Sequence, residues 1–178
     1  MSIYYNCRSI REFVVEDGSY AFKAIDGHLF SADGSTMIMY APMNTAEEYQ
    51  IPAGVKVLMG GAFRSSQYLK KVTVPDSVND IGKAFAYSSL TTIILGNGVT
   101  EIVADAFYDC VNLSSITIPN TVTKIGLLPF AGCDSLEYIT FNGTVEEWTA
   151  ITHAWYKYYS TVRCTDGEVD ENNKITIY

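Results

Sequence analysis

Apolar residues recur through the middle of the chain in a short alternating unit, Leu-x-x-Ile-x-Ile, followed by a turn and a second apolar pair. The unit stands at Leu69/Val72/Val74, Leu90/Ile93/Leu95, Leu113/Ile116/Ile118 and Leu136/Ile139/Phe141, with starts 21, 23 and 23 residues apart. Val78, Val99, Val122 and Val145 follow each start by nine residues, and Ile81, Ile102, Ile125 and Trp148 come three further on. Phenylalanine recurs at Phe63, Phe85, Phe107 and Phe130, at intervals of 22, 22 and 23.

A period of this length predicts a solenoid. One coil cannot bury its own apolar side, so coils stack and share a core. The alternating segment reads as a strand with Ile and Val inward. Stacked copies give a parallel sheet, and the phenylalanines form a column on the opposite wall. Pro75 and Pro119 end two strands, because proline cannot donate to the ladder. The expected class is a solenoid, α/β-type or mainly β, of stacked coils of about 23 residues.

The period extends upstream. Ile51, Pro52, Val55, Leu58 and Phe63 are in register, and the opening "YYNCRSIREFVV" fits with Tyr4 in the aromatic slot and Ile10/Phe13/Val15 as a strand. Between these, residues 17–50 break the period. Asp26-Gly27 and Asp33-Gly34 are hairpin-type turn dipeptides flanked by apolar residues, which predicts a β-hairpin-rich insertion. The aspartates lack the spacing and terminal glutamate of an EF-hand loop, so turns explain them better than calcium. The expected organisation is one domain: a partial first coil at 1–16, the insertion at 17–50, repeats at 51–145 and a C-terminal cap at 146–178. A partial first coil would expose core and sheet edge, a route to self-association.

The pattern "AF..C..L..I.IP..V..I" resembles the BspA-like leucine-rich repeat of bacterial surface-type proteins. Residues 51–145 carry the resemblance most strongly. The segment "AIDGHLFSADGSTMIMYAP" is similar to a unit common between such repeats, and "FNGTVEEWTAI…VRCTDGEV" to an end module. One slot departs from the general leucine-rich formula: Ser77, Gly98, Thr121 and Thr144 stand where Asn or Cys is usual. The resemblance implies a leucine-rich repeat solenoid that displays a binding surface, extracellular or on the cell surface, secreted or attached, in adhesion and host interaction. No catalytic motif belongs to the repeat, so the resemblance implies no enzyme and no cofactor.

Composition narrows the partners. The net charge of −8 lacks the basic footprint of a nucleic-acid binder and would be repelled by anionic membranes. No apolar run reaches the ~18 residues of a membrane span. The N-terminus has no basic start followed by an apolar run, so no signal peptide is read here.

Candidate chemistry is sparse. Cys7, Cys110 and Cys133 share one slot with Ser66 and Ser88, three residues after the aromatic position, which points to packing beside a turn. Free buried thiols are expected at Cys110 and Cys133, and Cys164 is assigned to packing. His28 and His153 belong to no visible triad or metal cluster. Asn142-Gly143-Thr144 matches the N-glycosylation pattern, which has no bearing if the source is bacterial, as the resemblance implies. The outward strand positions, Lys71/Thr73, Thr92/Ile94, Ser115/Thr117 and Tyr138/Thr140, form a Thr/Ser-rich face with two apolar islands. The tail "HAWYKYYS" adds Trp155, Tyr156, Tyr158 and Tyr159, which either seal the last coil or anchor a partner. Two functions remain open: a non-enzymatic module binding a protein or glycan through this face or the tail, and a structural spacer within a longer polypeptide.

Overall fold

The computed structural model describes residues 9–153 and 160–178. In chain order the elements are β1 Phe22–Ile25, β2 His28–Ser31, β3 Thr36–Met39, β4 Glu48–Gln50, β5 Val57–Leu58, β6 Lys71–Thr73, β7 Thr92–Ile94, β8 Glu101–Ile102, β9 Ser115–Ile118, β10 Lys124–Ile125, β11 Tyr138–Phe141, α1 Val145–Ala150, β12 Thr152–His153, β13 Thr161–Arg163, β14 Gly167–Val169 and β15 Ile175–Ile177. The protein is a β-solenoid of about five stacked turns.

Its main sheet runs β4-β6-β7-β9-β11-β13-β14-β15. The first six strands are parallel and in register, so Tyr49, Val72, Ile93, Ile116, Ile139 and Val162 form one inward row. The last two strands turn back antiparallel. A thinner parallel ladder, β8-β10-β12, lines the opposite wall, and β3 and β5 pair there in the same sense. Between the walls lies one continuous apolar cluster running from Phe30 to Val169.

The aromatic column is part of that cluster. Phe63, Phe85, Phe107 and Phe130 stack with centroids 5.1–5.6 Å apart and planes within 14° of parallel. Tyr40 extends it, stacked on Phe63 at 5.7 Å, and His28 stacks on Tyr40 at 4.1 Å. Two residues past each phenylalanine the backbone turns left-handed, at Ser65, Tyr87, Asp109 and Gly132. Gly and Asp suit that conformation, whereas Tyr87 is a bulky residue held in it.

The insertion is a three-stranded antiparallel meander, β1-β2-β3. Asp26 and Gly27 both have positive φ, as the two-residue hairpin requires. Asp33 accepts from the Ser31 hydroxyl at 2.6 Å and from the Ser35 amide at 3.0 Å. Those bonds pull its pKa down to about 2 and account for the aspartate without a metal.

Three placements differ from the sequence reading. The insertion does not run to Gln50: β4 is already a solenoid strand paired with β6, and Tyr40 already sits in the aromatic column. A lone inward Tyr49 between polar Glu48 and Gln50 hides that strand from a hydrophobic pattern. Ile10, Phe13 and Val15 make no strand of the main sheet. Phe13 and Val15 instead pack on Leu29, Ile38 and Met39 of the meander, and the Phe13 amide donates to Gly27 O at 2.8 Å. Last, Val145 and Trp148 belong to a helix. Thr144 accepts from the Glu147 amide and the Glu147 carboxylate accepts from the Thr144 amide, a capping box that fits the sequence Thr-x-x-Glu.

Candidate partner-binding face

Alternation along each strand leaves two outward rows on the main sheet. One is Glu48, Lys71, Thr92, Ser115, Tyr138 and Thr161; the other is Gln50, Thr73, Ile94, Thr117, Thr140 and Arg163. The eight residues singled out from the sequence on this face, Lys71, Thr73, Thr92, Ile94, Ser115, Thr117, Tyr138 and Thr140, are thus brought together, each half-buried by its neighbours in the row. Trp155, Tyr156, Tyr158 and Tyr159 lie outside the described residues, as do Tyr4 and Cys7, and nothing is described of the His153 side chain.

The face has different chemistry at its two ends. At the N-terminal end Lys71 is held by Glu48 at 3.1 Å, an exposed pair that adds little stability but neutralises the cation. The middle is hydroxyl-rich, with Thr92 and Ser115 at 3.4 Å from each other and Ile94 as an apolar island. At the C-terminal end the Arg163 guanidinium lies 4.1 Å over the Tyr138 ring. That stacking fixes a planar donor fork beside an aromatic edge. Arg163 is not among the residues that the sequence pattern singles out, yet Thr161-Val162-Arg163 repeats Tyr138-Ile139-Thr140 after 23 residues.

Other exposed aromatics sit on the aromatic-turn side. Tyr87, 43% exposed, meets Tyr108 edge-on at 5.4 Å and carries Arg64 4.2 Å over its ring. The departing slot also has a structural role. Ser77 accepts from the Gly54 amide at 3.1 Å and Thr121 donates to Val99 O at 2.8 Å, each tying neighbouring coils. Gly98 stands where a Cβ would collide with the Asp76 and Val78 carbonyls.

The cysteine slot is buried. Cys110 and Cys133 are buried free thiols that donate to Phe85 O at 3.0 Å and Phe107 O at 3.1 Å. Pairing with Cys110, and then burial, raises the Cys133 thiol far above its usual range, and the same pairing lowers Cys110. Burial and the Asp166 carboxylate push Cys164 up to about 11. In a Cys7→Ser, Cys164→Ser background, a thiol reagent is expected to label Cys110 and Cys133 only after denaturant is added. Fast labelling of both in the native protein would show that the slot is open. Among the described residues no group of three or more His, Cys, Asp or Glu could hold a metal ion, and no helix is long and apolar enough to cross a membrane.

Comparison with known proteins agrees with this architecture. The BspA type leucine rich repeat region matches residues 37–158 in 6 copies. Its start at residue 37 coincides with the parallel pairing of β3 on β5, inside the segment first assigned to the insertion. Among solved structures, the pneumococcal vaccine antigen PcpA is similar at 29% identity and a TM-score of 0.69, over 76% of this chain and 34% of that one. A leucine rich cell surface protein from Faecalibacterium prausnitzii shares 32% identity at a TM-score of 0.50, over 75% of this chain and 43% of its own. A leucine-rich repeat protein from Bacteroides capillosus shares 28% identity at a TM-score of 0.60, over 69% of this chain and 99% of its own. This chain therefore spans less than half of the first two. Curated proteins give no significant match. With repeat copies over most of its length and the stacked-coil geometry that they require, the chain belongs to the BspA-type leucine-rich repeat family.

Proposed function

We propose that the protein is a non-enzymatic binding module of a bacterial cell-surface or secreted protein, and that it presents its main sheet to a protein or glycan partner in adhesion. The observation that carries the proposal is the outward face itself. Six parallel strands hold two straight rows of side chains on a rigid core, with Ile94, Tyr138 and Arg163 as the groups able to anchor a partner. The cell-surface description of the Faecalibacterium relative supports the location.

The test is binding to panels of matrix proteins, host cells and glycans. A Lys71→Ala, Ile94→Ala, Tyr138→Ala variant is expected to lose about tenfold or more in affinity, about 1.4 kcal/mol. An Arg163→Ala variant should weaken binding alone, because it removes the fork stacked on Tyr138. Unchanged binding in both would sink the sheet-face reading and favour a spacer that positions other domains.

A further inference from the structure

The turns that lead into the main sheet carry a second group of exposed side chains, away from the sheet face. Tyr87 and Tyr108 are 43% and 39% exposed and meet edge-on at 5.4 Å. The Arg64 guanidinium lies 4.2 Å over the Tyr87 ring. Three successive coils thus supply a guanidinium and two phenols in one run of contacts, about 10 Å long at the strand spacing. The middle coil is built differently from its neighbours. Its turn from Phe85 to Leu90 is one residue shorter than the turns Phe63 to Leu69, Phe107 to Leu113 and Phe130 to Leu136. The left-handed slot holds Ser65, Asp109 and Gly132 in those coils and Tyr87 in this one. Tyr87, at φ 61°, is the one aromatic residue with positive φ among the described residues. Its amide donates to Tyr108 O at 2.8 Å, so the backbone that aims the ring is fixed. A bulky side chain in that conformation is strained, and such strain concentrates at functional sites. The cation–π and edge contacts lie at the surface, where they do no more than offset the strain. Ser, Asp or Gly would fill the slot at less cost, so folding alone does not account for the tyrosine.

We propose that Arg64, Tyr87 and Tyr108 form a carbohydrate-binding subsite, distinct from the sheet face, that takes a short oligosaccharide. The exposed groups are phenols and a guanidinium rather than aliphatic chains. Their rings offer apolar surface to the C–H face of a pyranose, and the hydroxyls and N–H groups at the rim can bond to its hydroxyls. Tyrosine gives such contact at low entropic cost, and the fixed Tyr87 backbone lowers that cost further. Size separates a sugar from a protein partner. A stable protein interface takes about 20–30 residues a side, whereas this run crosses three coils only. Stacking of nucleic-acid bases would use the same rings, but the net charge of −8 repels that backbone.

Binding of the whole chain to an immobilised panel of neutral and carboxylate-bearing oligosaccharides tests this, with each positive then titrated in solution. Wild type is expected to bind at least one member. Tyr87→Gly should weaken that binding about tenfold or more. It should nevertheless melt within about 4 °C of wild type, because the strain it relieves offsets the contacts it loses. Tyr108→Ser should weaken binding to a similar extent. The Lys71→Ala, Ile94→Ala, Tyr138→Ala variant, changed on the sheet face alone, should bind the same oligosaccharide as wild type does, so this subsite and the sheet-face reading stand or fall separately. Four results would each overturn the proposal: no oligosaccharide bound, wild-type affinity in Tyr87→Gly, loss of binding in the sheet-face variant alone, or a large fall in the melting temperature of Tyr87→Gly, which would assign the cluster to folding.

Discussion

Phe85→Ala is expected to lower the unfolding free energy by about 3–5 kcal/mol, the range for removing a buried aromatic ring. Phe85 is fully buried and lies between Phe63 at 5.1 Å and Phe107 at 5.6 Å, nearly parallel to both. The loss should fall at the upper end because the gap cannot close. Each ring's height is set by its own coil, and the coils are held at strand spacing by the ladders on both walls. Truncation therefore loses the transferred area, the ring contacts and the packing of the void lining together. Phe85→Leu keeps most of the volume and should cost much less, roughly 1–2 kcal/mol. In a solenoid each coil is stabilised chiefly by its neighbours, so a defect in mid-column also divides the stack. Urea unfolding of Phe85→Ala, followed by circular dichroism, should show an earlier and broader transition than wild type. A midpoint shift worth less than about 1 kcal/mol would mean that the column is not a principal source of stability.

The column also shows what could be read from the chain. Phe63 to Phe130 were legible because a parallel stack repeats one residue type at one interval, and the inward Ile/Val row was legible for the same reason. Tyr40 fits that interval, 23 residues before Phe63, but the strong turn signals of Asp26-Gly27 and Asp33-Gly34 obscured it. The meander and the first coil share β3, so turn chemistry and repeat chemistry overlap in one segment. Ile10/Phe13/Val15 mimic the strand spacing while serving a different surface, because hydrophobic spacing states which residues are inward but not against which element. On the candidate face, the row membership followed from alternation alone. The pairings did not: Lys71 with Glu48, and Tyr138 with Arg163, join residues 23 and 25 positions apart, and only the stacked coils bring them side by side.

Lowering the pH from above 6.5 to about 4 is expected to remove about 3 kcal/mol of stability through His28 alone. His28 is 2% exposed, stacked on Tyr40 and edge-on to Tyr49 at 4.6 Å. Its Nδ1 accepts from the Ala41 amide at 3.2 Å, so the proton of the neutral ring sits on Nε2. Protonating Nδ1 would set a donor against a donor and place a cation at the head of the aromatic column. Desolvation accordingly lowers the pKa from 6.5 to about 4, and the opposing pull of the Asp26 carboxylate does not cancel it. The sign follows directly. Between those two values the unfolded chain binds the proton and the folded one does not, so stability is complete above 6.5 and falls as the pH drops toward 4. The contribution of His28 is isolated by comparison with His28→Phe. That variant keeps the ring stack but leaves the Ala41 amide without its acceptor, a cost of about 1–3 kcal/mol at neutral pH. Its deficit against wild type should shrink steadily below pH 6.5 and be gone or reversed by pH 4. The melting of β2 away from Tyr40 should come first, because the charge forms where the meander joins the column. If the two proteins lose stability in parallel across that range, the proton on His28 is not linked to folding.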